Sequence, residues 1–151
     1  MLPLSPKDFL EWLEMEYKQN LIFDLGLHKG EDTEYYLKRG FNVIGIEADI
    51  DHIKHCEKLL SEYIKGKKLT LIHGAISDGN QDTVTFYKSI NSSVWGTVVK
   101  NFADRNTVLG SASIPIEVKT VKLEDLFYRY GIPYYLKIDI EGMDLTALKS
   151  L

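Results

Sequence analysis

One stretch decides the fold: LIFDLGLHKG at residues 21–30, where a short apolar run leads into a turn with two glycines. The apolar pattern predicts a strand at residues 21–23 and a helix at residues 31–39. Glycines at such a turn, here Gly26 and Gly30, let the backbone approach a ligand and leave free N–H groups at the helix N-terminus. By itself the stretch also fits an ordinary strand-to-helix connection.

Strand-like and helix-like apolar patterns alternate from this stretch onwards. A second strand is predicted at residues 41–46 and a third at residues 69–76, with a helix between them that starts at Asp49 or Asp51 and ends at Gly66. This order is that of one mononucleotide-binding half of a doubly wound α/β sheet. With 44% apolar residues in a chain of 151, the protein can bury the core of one such domain.

The second half of the chain is predicted to be less regular. Turn residues at 77–80 join the third strand to a β-rich segment at 83–88, which predicts a hairpin or near-hairpin between the two. Residues 91–113 are polar and aperiodic, which indicates a long surface loop of the kind that often carries function. The remaining predicted elements are a one-sided strand at 114–118, a helix at 123–130, a last buried strand at 134–140, and a helix from Met143 with Leu145 and Leu148 facing inward.

Glu47 follows the predicted second strand about 20 residues after the glycine turn, where a carboxylate can accept hydrogen bonds from both ribose hydroxyls of an adenosine ligand. A nicotinamide dinucleotide site needs the G-x-G-x-x-G pattern for the approach of the pyrophosphate, and the turn has Leu27, His28 and Lys29 there instead. Asp24 at the start of the turn suits a cationic sulfonium better than a pyrophosphate. These residues favour S-adenosylmethionine over a nicotinamide cofactor.

A second motif, LKIDIEG at residues 136–142, lies at the carboxyl end of the predicted last strand. Period-two alternation places Lys137, Asp139 and Glu141 on one face of that strand, at the edge where open α/β sheets bind ligands. Three charged side chains on an otherwise apolar strand are unfavourable unless they are paired or functional. The alternative interpretation is an ion pair between Lys137 and Asp139 or Glu141.

Charge and cysteine content restrict the class of protein. The 18 basic and 22 acidic residues give a net charge of −4, which disfavours a nucleic acid or a membrane surface as partner. Cys56 is the single cysteine, so no internal disulfide is expected, and a cytoplasmic protein is predicted. Residues 1–20 lack the apolar core of a signal peptide and predict an N-terminal helix capped by Ser5.

On these motifs, residues 21–151 resemble the FkbM-type S-adenosylmethionine-dependent methyltransferases, most of them assigned as O-methyltransferases. Four segments carry the resemblance: a cofactor turn at 24–33, a ribose-binding strand at 43–48, a segment at 74–78 that passes the adenine, and a fourth-strand motif at 136–142. The resemblance implies that residues 21–151 form a Rossmann-like class I methyltransferase sheet of α/β type. That sheet would be truncated after the fourth core strand, since the family's sheet continues with three more strands.

The resemblance also implies which residues bind the cofactor S-adenosylmethionine. Gly26, His28 and Gly30 would line its methionine side, and Glu47 would hold the ribose. Asp139 would lie beside the transferring methyl group. The full implied set is Asp24, Gly26, His28, Gly30, Thr33, Glu47, Ala48, Ala75, Ile76 and Asp139, with Ala75 and Ile76 flanking the adenine.

The predicted function is S-adenosylmethionine-dependent O-methylation of a hydroxyl on a small molecule or glycan, whose identity the motifs leave open. Asp139, or less favourably His28, would be the base that takes the hydroxyl proton. No metal is expected, since the other histidines show no metal-ligand spacing with Cys56. These histidines are interpreted as surface or half-buried side chains: His52, His55 and His73. The alternatives are a cofactor-binding module without catalysis and a nicotinamide-dependent oxidoreductase.

The end of the chain predicts an incomplete sheet. The helix from Met143 has barely two turns and no stop residue before Leu151. The outer edge of the strand at 134–140 has no predicted partner, and an apolar open edge invites pairing with another chain. We therefore expect either a fragment of a longer protein or a homo-oligomer whose neighbour covers this edge, with the fragment favoured.

Overall fold

The computed structural model describes residues 15–149 as a mixed α/β fold with two sheets. The strands are β1 (Tyr17–Leu25), β2 (Asn42–Glu47), β3 (Leu69–His73), β4 (Ala75–Ile76), β5 (Thr83–Ser89), β6 (Ser113–Val121) and β7 (Ile132–Ile138). The helices are α1 (Glu31–Lys38), α2 (Ile50–Leu59), α3 (Ser61–Lys65), α4 (Lys100–Val108), α5 (Leu123–Tyr130) and α6 (Asp144–Lys149). No helix within residues 15–149 has the length and apolar character needed to cross a bilayer.

Four parallel strands form the main sheet in the order β3-β2-β1-β7. The central strands β1 and β2 carry near-continuous buried runs, as expected for parallel strands that are covered on both faces. The strand order reverses beside β1, because β2 and β3 lie on one side of it and β7 on the other. The predicted Rossmann-like α/β fold is confirmed, and such a reversal is the point at which open sheets bind ligands.

Two apolar clusters cover the two faces of the main sheet, and alternate residues of β1 and β2 point into one or the other. The first cluster consists of Leu21, Phe23, Leu25, Ile44, Ile46, Ile76, Leu123, Leu126 and Ala147. The second consists of Ile22, Leu27, Leu37, Val43, Ile53, Cys56, Leu60 and Leu69. Helices α5 and α6 therefore pack on one face, and α1 and α2 pack on the other.

The predicted N-terminal helix is wrong over residues 17–20, which are the first part of β1. Tyr17 pairs with Ile132 and Lys18 with Pro133, so pairing with β7 makes this polar segment a strand. Residues 1–14, where the rest of that helix and its Ser5 cap were predicted, lie outside the described residues.

A small second sheet has the order β4-β6-β5, with β4 parallel and β5 antiparallel to β6. The predicted hairpin between the third strand and residues 83–88 is therefore wrong, because β5 pairs with the distant β6. The strand predicted at 69–76 is two strands, of which β3 belongs to the main sheet and β4 to the second sheet. Gly74 separates them at a point where a Cβ would press on the side chain of Val121 in β6.

Helix α4 lies within residues 91–113, so the prediction of a continuous loop is wrong over Lys100–Val108. The buried residues of this helix are Ala103 and Asn106, which give no apolar period. The side-chain amide of Asn106 donates to the carbonyl of Trp95 at 3.0 Å. A polar contact thus helps to hold a helix that the apolar pattern did not reveal.

The helix after residue 143 is present as α6, but the prediction that Leu145 and Leu148 face inward is wrong. Leu145 is 61% and Leu148 53% exposed, whereas Ala147 is buried. Helix α6 follows β7, which is the end strand of the main sheet: within residues 15–149 it pairs with β1 on one side and with no strand on the other. The described part of the chain therefore has no further strand beside β7 against which these leucines could pack. The last strand is likewise less buried than predicted, since Tyr134 and Tyr135 are both exposed.

Candidate functional site

A cleft of about 760 Å³, counted with the part open to solvent, lies at the carboxyl ends of β1, β2 and β7. Its position is that of small-molecule sites in open α/β sheets. Seven of the ten predicted cofactor-binding residues line it: Gly26, His28, Glu47, Ala48, Ala75, Ile76 and Asp139. Three lie outside the lining: Asp24, Gly30 and Thr33.

The turn after β1 brings backbone to the cleft at Gly26, which has a φ of 80°. Its N–H donates to the carbonyl of Ile46 in β2 at 2.8 Å. Gly30 has a φ of 84° and precedes α1, where it packs against the Cys56 side chain. Gly30 therefore shapes the start of the helix rather than the surface of the cleft.

Asp24 is fully buried, and both of its carboxylate oxygens have partners. Thr33 donates its hydroxyl to Oδ2 at 2.7 Å, and the Lys137 ammonium donates to Oδ1 at 3.0 Å. Burial raises the pKa of Asp24 above its ordinary value, and the positive charge of Lys137 opposes that rise. Lys137 also pairs with Asp32 at 3.3 Å. The alternative prediction was an ion pair between Lys137 and Asp139 or Glu141. Lys137 does form ion pairs, but its partners are Asp24 and Asp32.

Glu47 ends β2 on the wall of the cleft and is 9% exposed. The backbone N–H of His28 donates to Oε2 and that of Asp49 donates to Oε1, both at 2.9 Å. Each oxygen of an ionised carboxylate accepts about two hydrogen bonds, so each keeps one position for a ligand. The two N–H groups fix the carboxylate and leave it able to bind a pair of hydroxyls.

His28 has a φ of 54°, in the left-handed region that few residues other than glycine adopt. Its Nε2 lies 2.9 Å from Ser93 Oγ, and its Nδ1 lies 3.4 Å from Glu31 Oε2. Both ring nitrogens are therefore engaged. The contact with Ser93 joins the turn after β1 to the segment 93–98, which supplies another part of the cleft wall.

His52 also lines the cleft and was not predicted as a site residue. It is 8% exposed, so its interpretation as a surface or half-buried side chain is wrong. Its ring meets that of His28 edge to face at 4.5 Å, and its Nδ1 lies 3.9 Å from Glu47 Oε1. That nitrogen has no hydrogen-bond partner among residues 15–149. Its place in the first turn of α2, just after Glu47, is the signal that could have identified it.

The segment 93–98 contributes five lining residues that sequence reasoning missed: Ser93, Val94, Gly96, Thr97 and Val98. Its polar, aperiodic composition indicated a functional loop without showing which side chains face a ligand. Gly96 packs so closely on the ring of Phe86 that a Cβ would overlap it. Trp95, by contrast, does not line the cleft.

Asp139 and Glu141 follow β7 and line the cleft. Glu141 has a φ of 40°, and its carbonyl accepts a hydrogen bond from the Thr97 hydroxyl at 2.7 Å. Burial and the Asp139 carboxylate raise the pKa of Glu141 above its ordinary value, and the charge of Arg105 opposes the rise. Within residues 15–149, no group of three or more His, Cys, Asp or Glu side chains is arranged to hold a metal ion.

Cys56 is expected to be unreactive in the folded protein. Its thiol is buried, donates to the His28 carbonyl at 3.7 Å and has a pKa raised to about 12, mainly by burial. Because the thiolate is the reactive form, we expect a disulfide-exchange reagent to label the native protein about 100-fold more slowly than the urea-unfolded chain. The reagent releases a coloured thiol when it reacts, and because Cys56 is the single cysteine, the absorbance of that thiol measures labelling at this site alone. Equal labelling rates in the two conditions would contradict the buried position.

The family model of the methyltransferase FkbM domain matches residues 24–151. Among solved structures, the chain is similar to the methyltransferase FkbM from Methylobacillus flagellatus KT, with a TM-score of 0.54 and 17% sequence identity. The similarity covers 92% of this chain and 30% of the other, so the chain spans less than a third of that structure's length. At this identity the likeness shows the fold alone. No curated protein sequence matches the chain significantly.

Proposed function

Because the chain belongs to the FkbM methyltransferase family, we propose that its cleft binds S-adenosylmethionine and that the protein methylates a hydroxyl group of a small molecule or glycan. The observation that carries the proposal is the Glu47 carboxylate, which is fixed on the cleft wall with one accepting position free on each oxygen. A ribose presents two neighbouring hydroxyls, and a carboxylate at the end of the second strand is the usual partner for them in doubly wound sheets.

The rest of the lining also suits an adenosine ligand. Apolar side chains supply the surface that an adenine ring requires: Ala48, Ala75, Ile76, Phe86 and Val98. Gly26, His28 and Asp139 are proposed for the methionine side. Asp24, Gly30 and Thr33 are proposed to act by shaping the turn, since they lie outside the lining.

Methyl transfer requires the protein to align the acceptor and to remove its proton. S-adenosylmethionine, when bound, supplies a methyl carbon that is already activated by its sulfonium. The Asp139 side chain has no hydrogen-bond or ion-pair partner among residues 15–149, whereas both ring nitrogens of His28 are engaged. This difference supports Asp139, rather than His28, as the proposed base.

Calorimetric titration with S-adenosylhomocysteine tests the binding part of the proposal. We expect the wild-type protein to bind and Glu47→Gln to bind about 10- to 100-fold more weakly, because a hydrogen bond to a charged group contributes about 1.5–3 kcal/mol. Glutamine preserves the shape of the side chain. Thermal unfolding of both proteins shows whether the variant keeps its fold.

Glu62→Gln is the matched control, because Glu62 is exposed on α3 and pairs with Lys65 at 2.6 Å, outside the cleft lining. Its affinity should equal that of the wild type. Absence of heat with the wild type, or equal affinity in Glu47→Gln, would contradict the proposal. Binding of NAD with no binding of S-adenosylhomocysteine would favour the nicotinamide alternative.

The transfer step is tested separately, with a methyl-labelled donor and a panel of sugars and small hydroxylated molecules. Labelled methyl ethers are the expected products. Label found only on nitrogen would contradict O-methylation. A cell extract is tested beside the panel as a wider source of acceptors. If the protein binds the cofactor but transfers no label to the panel or to any fraction of the extract, a module that binds the cofactor without catalysis is favoured.

A further inference from the structure

The carboxylates around the cleft differ in burial and in how they are neutralised: Asp24 and Glu47 are buried, Glu141 is half-buried and Asp139 is exposed. Asp24 is paired with Lys137, and the oxygens of Glu47 each hold a backbone N–H. The side chains of Asp139 and Glu141 have neither a hydrogen-bond nor an ion-pair partner among residues 15–149. Two carboxylates are thus left available at one end of the cleft.

The charge of the cleft is one-sided. Among the described residues, its lining contains Glu47, Asp139 and Glu141 but neither lysine nor arginine. Arg105 acts on Glu141 through space, while its guanidinium donates to Asn106 Oδ1 at 2.9 Å and lies 4.8 Å from the centre of a phenylalanine ring. The cleft therefore has a negative potential that favours a cationic ligand.

The backbone of Glu141 is held by its surroundings. A non-glycine residue with a φ of 40° persists only where neighbouring structure enforces it. Thr97, which is 2% exposed, holds the Glu141 carbonyl at 2.7 Å. The adjacent Gly142 packs against Phe102 so closely that a Cβ would press on the ring. These contacts fix the backbone at Glu141, which is one of the residues that line the cleft.

We propose that Glu141, assisted by Asp139, recognises the positive charge of the sulfonium and so distinguishes S-adenosylmethionine from its product S-adenosylhomocysteine, whose thioether sulfur is uncharged. The inference rests on the proposed function and adds to it a specificity-determining residue. The two ligands differ by one methyl group and one charge. A carboxylate that acts through that charge changes the ratio of their affinities, whereas a residue that merely shapes the cleft changes both affinities together.

Titration of both ligands into the wild type and Glu141→Gln tests this role. We expect the dissociation constant of S-adenosylmethionine to rise about tenfold in the variant, because Coulomb attraction in a half-buried cleft is stronger than in water. The dissociation constant of S-adenosylhomocysteine should stay within about twofold. Glu141→Asp, which keeps the charge, should retain most of the wild-type ratio.

Glu47→Gln serves as the control for general damage to the cleft, because the ribose is common to both ligands and both affinities should fall together. A salt series on the wild type gives a measurement that needs no variant. Screening should weaken S-adenosylmethionine binding more than S-adenosylhomocysteine binding. Narrowing of the affinity ratio with salt supports the inference even if Glu141→Gln fails to fold.

Equal weakening of both ligands in Glu141→Gln, or a ratio that salt does not change, would overturn the charge-recognition role and leave the proposed function intact. Wild-type protein that binds neither ligand would overturn the proposed function, and the inference with it. The two failures are therefore distinguishable.

Discussion

Replacing Lys137 by methionine is expected to lower the free energy of unfolding by about 3–5 kcal/mol. Lys137 is the ammonium partner of Asp24, whose side chain is 0% exposed while that of Lys137 is 17% exposed. The substitution leaves the carboxylate buried without its cation, and that uncompensated charge is the cause of the loss. Methionine keeps most of the aliphatic stem, so packing changes little. Urea unfolding followed by circular dichroism measures the difference.

The double variant Asp24→Asn/Lys137→Met is the control for this prediction. It should recover most of the lost stability, because an amide carries no charge and its oxygen can still accept the Thr33 hydroxyl. The four proteins form a double-mutant cycle whose coupling energy measures the pair. Simple additivity of the two single substitutions would show that Asp24 and Lys137 do not act together.

The destabilisation of Lys137→Met is expected to shrink as the pH falls from neutral towards about 5. Burial raises the pKa of Asp24, and loss of the Lys137 charge removes an opposing contribution, so the pKa rises further. The folded variant then binds more protons than the unfolded chain between the ordinary and the raised pKa, and its stability increases on acidification. Urea midpoints across this pH range measure the effect, and a difference from wild type that does not vary with pH would contradict it.

The first half of the fold follows from local sequence patterns. β1 and β2 are central parallel strands, so their cores read as uninterrupted apolar runs at Leu21–Phe23 and Val43–Ile46. Helix α1 covers Glu31–Lys38 of the predicted 31–39, and α2 begins after Asp49, one of the two predicted starting residues, whose side chain accepts from the Asp51 N–H at 2.9 Å. In this region each residue's own neighbours decide its conformation.

The second half depends on pairing between distant segments, which local patterns do not encode. β5 pairs with β6 across the intervening residues 90–112, and the turn signals after β4 gave no sign of that partner. The polar residues 17–20 become strand because β7 lies beside them. Helix α4 is buried through Ala103 and Asn106 and therefore has no apolar period.

The candidate site likewise contains residues that sequence patterns predict and residues that depend on contacts between distant segments. Gly26, Glu47 and Asp139 each follow or end a main-sheet strand, so topology alone predicts that they meet at one edge. His52 and Thr97 reach the cleft only because of how α2 and the segment 93–98 pack against those strands. The pairing of Lys137 with Asp24 was missed for a related reason, since it requires knowing that β7 lies beside β1.

The turn after β1 has no space for a side chain at Gly26. A Cβ built there would overlap the carbonyl oxygen of Asp139, which belongs to the backbone and cannot rotate away. That backbone is fixed in turn, because the N–H of Asp139 donates to the carbonyl of Leu25 at 3.0 Å. The φ of 80° at Gly26 adds a left-handed conformation that L side chains disfavour. Relief of the overlap therefore requires β1 and the end of β7 to separate.

Gly26→Ala is accordingly expected to lower the free energy of unfolding by about 3 kcal/mol or more and to abolish S-adenosylhomocysteine binding. Gly110→Ala is the matched control, because Gly110 has a φ of 96° but nothing within 4 Å of the added Cβ. The control should lose only about 1–2 kcal/mol, the energy of the left-handed conformation alone, and should bind normally. Urea unfolding and calorimetric titration of both variants separate the two contributions. If the two variants lose the same free energy of unfolding, the backbone conformation, and not the close approach of the Asp139 carbonyl, is what requires glycine at position 26.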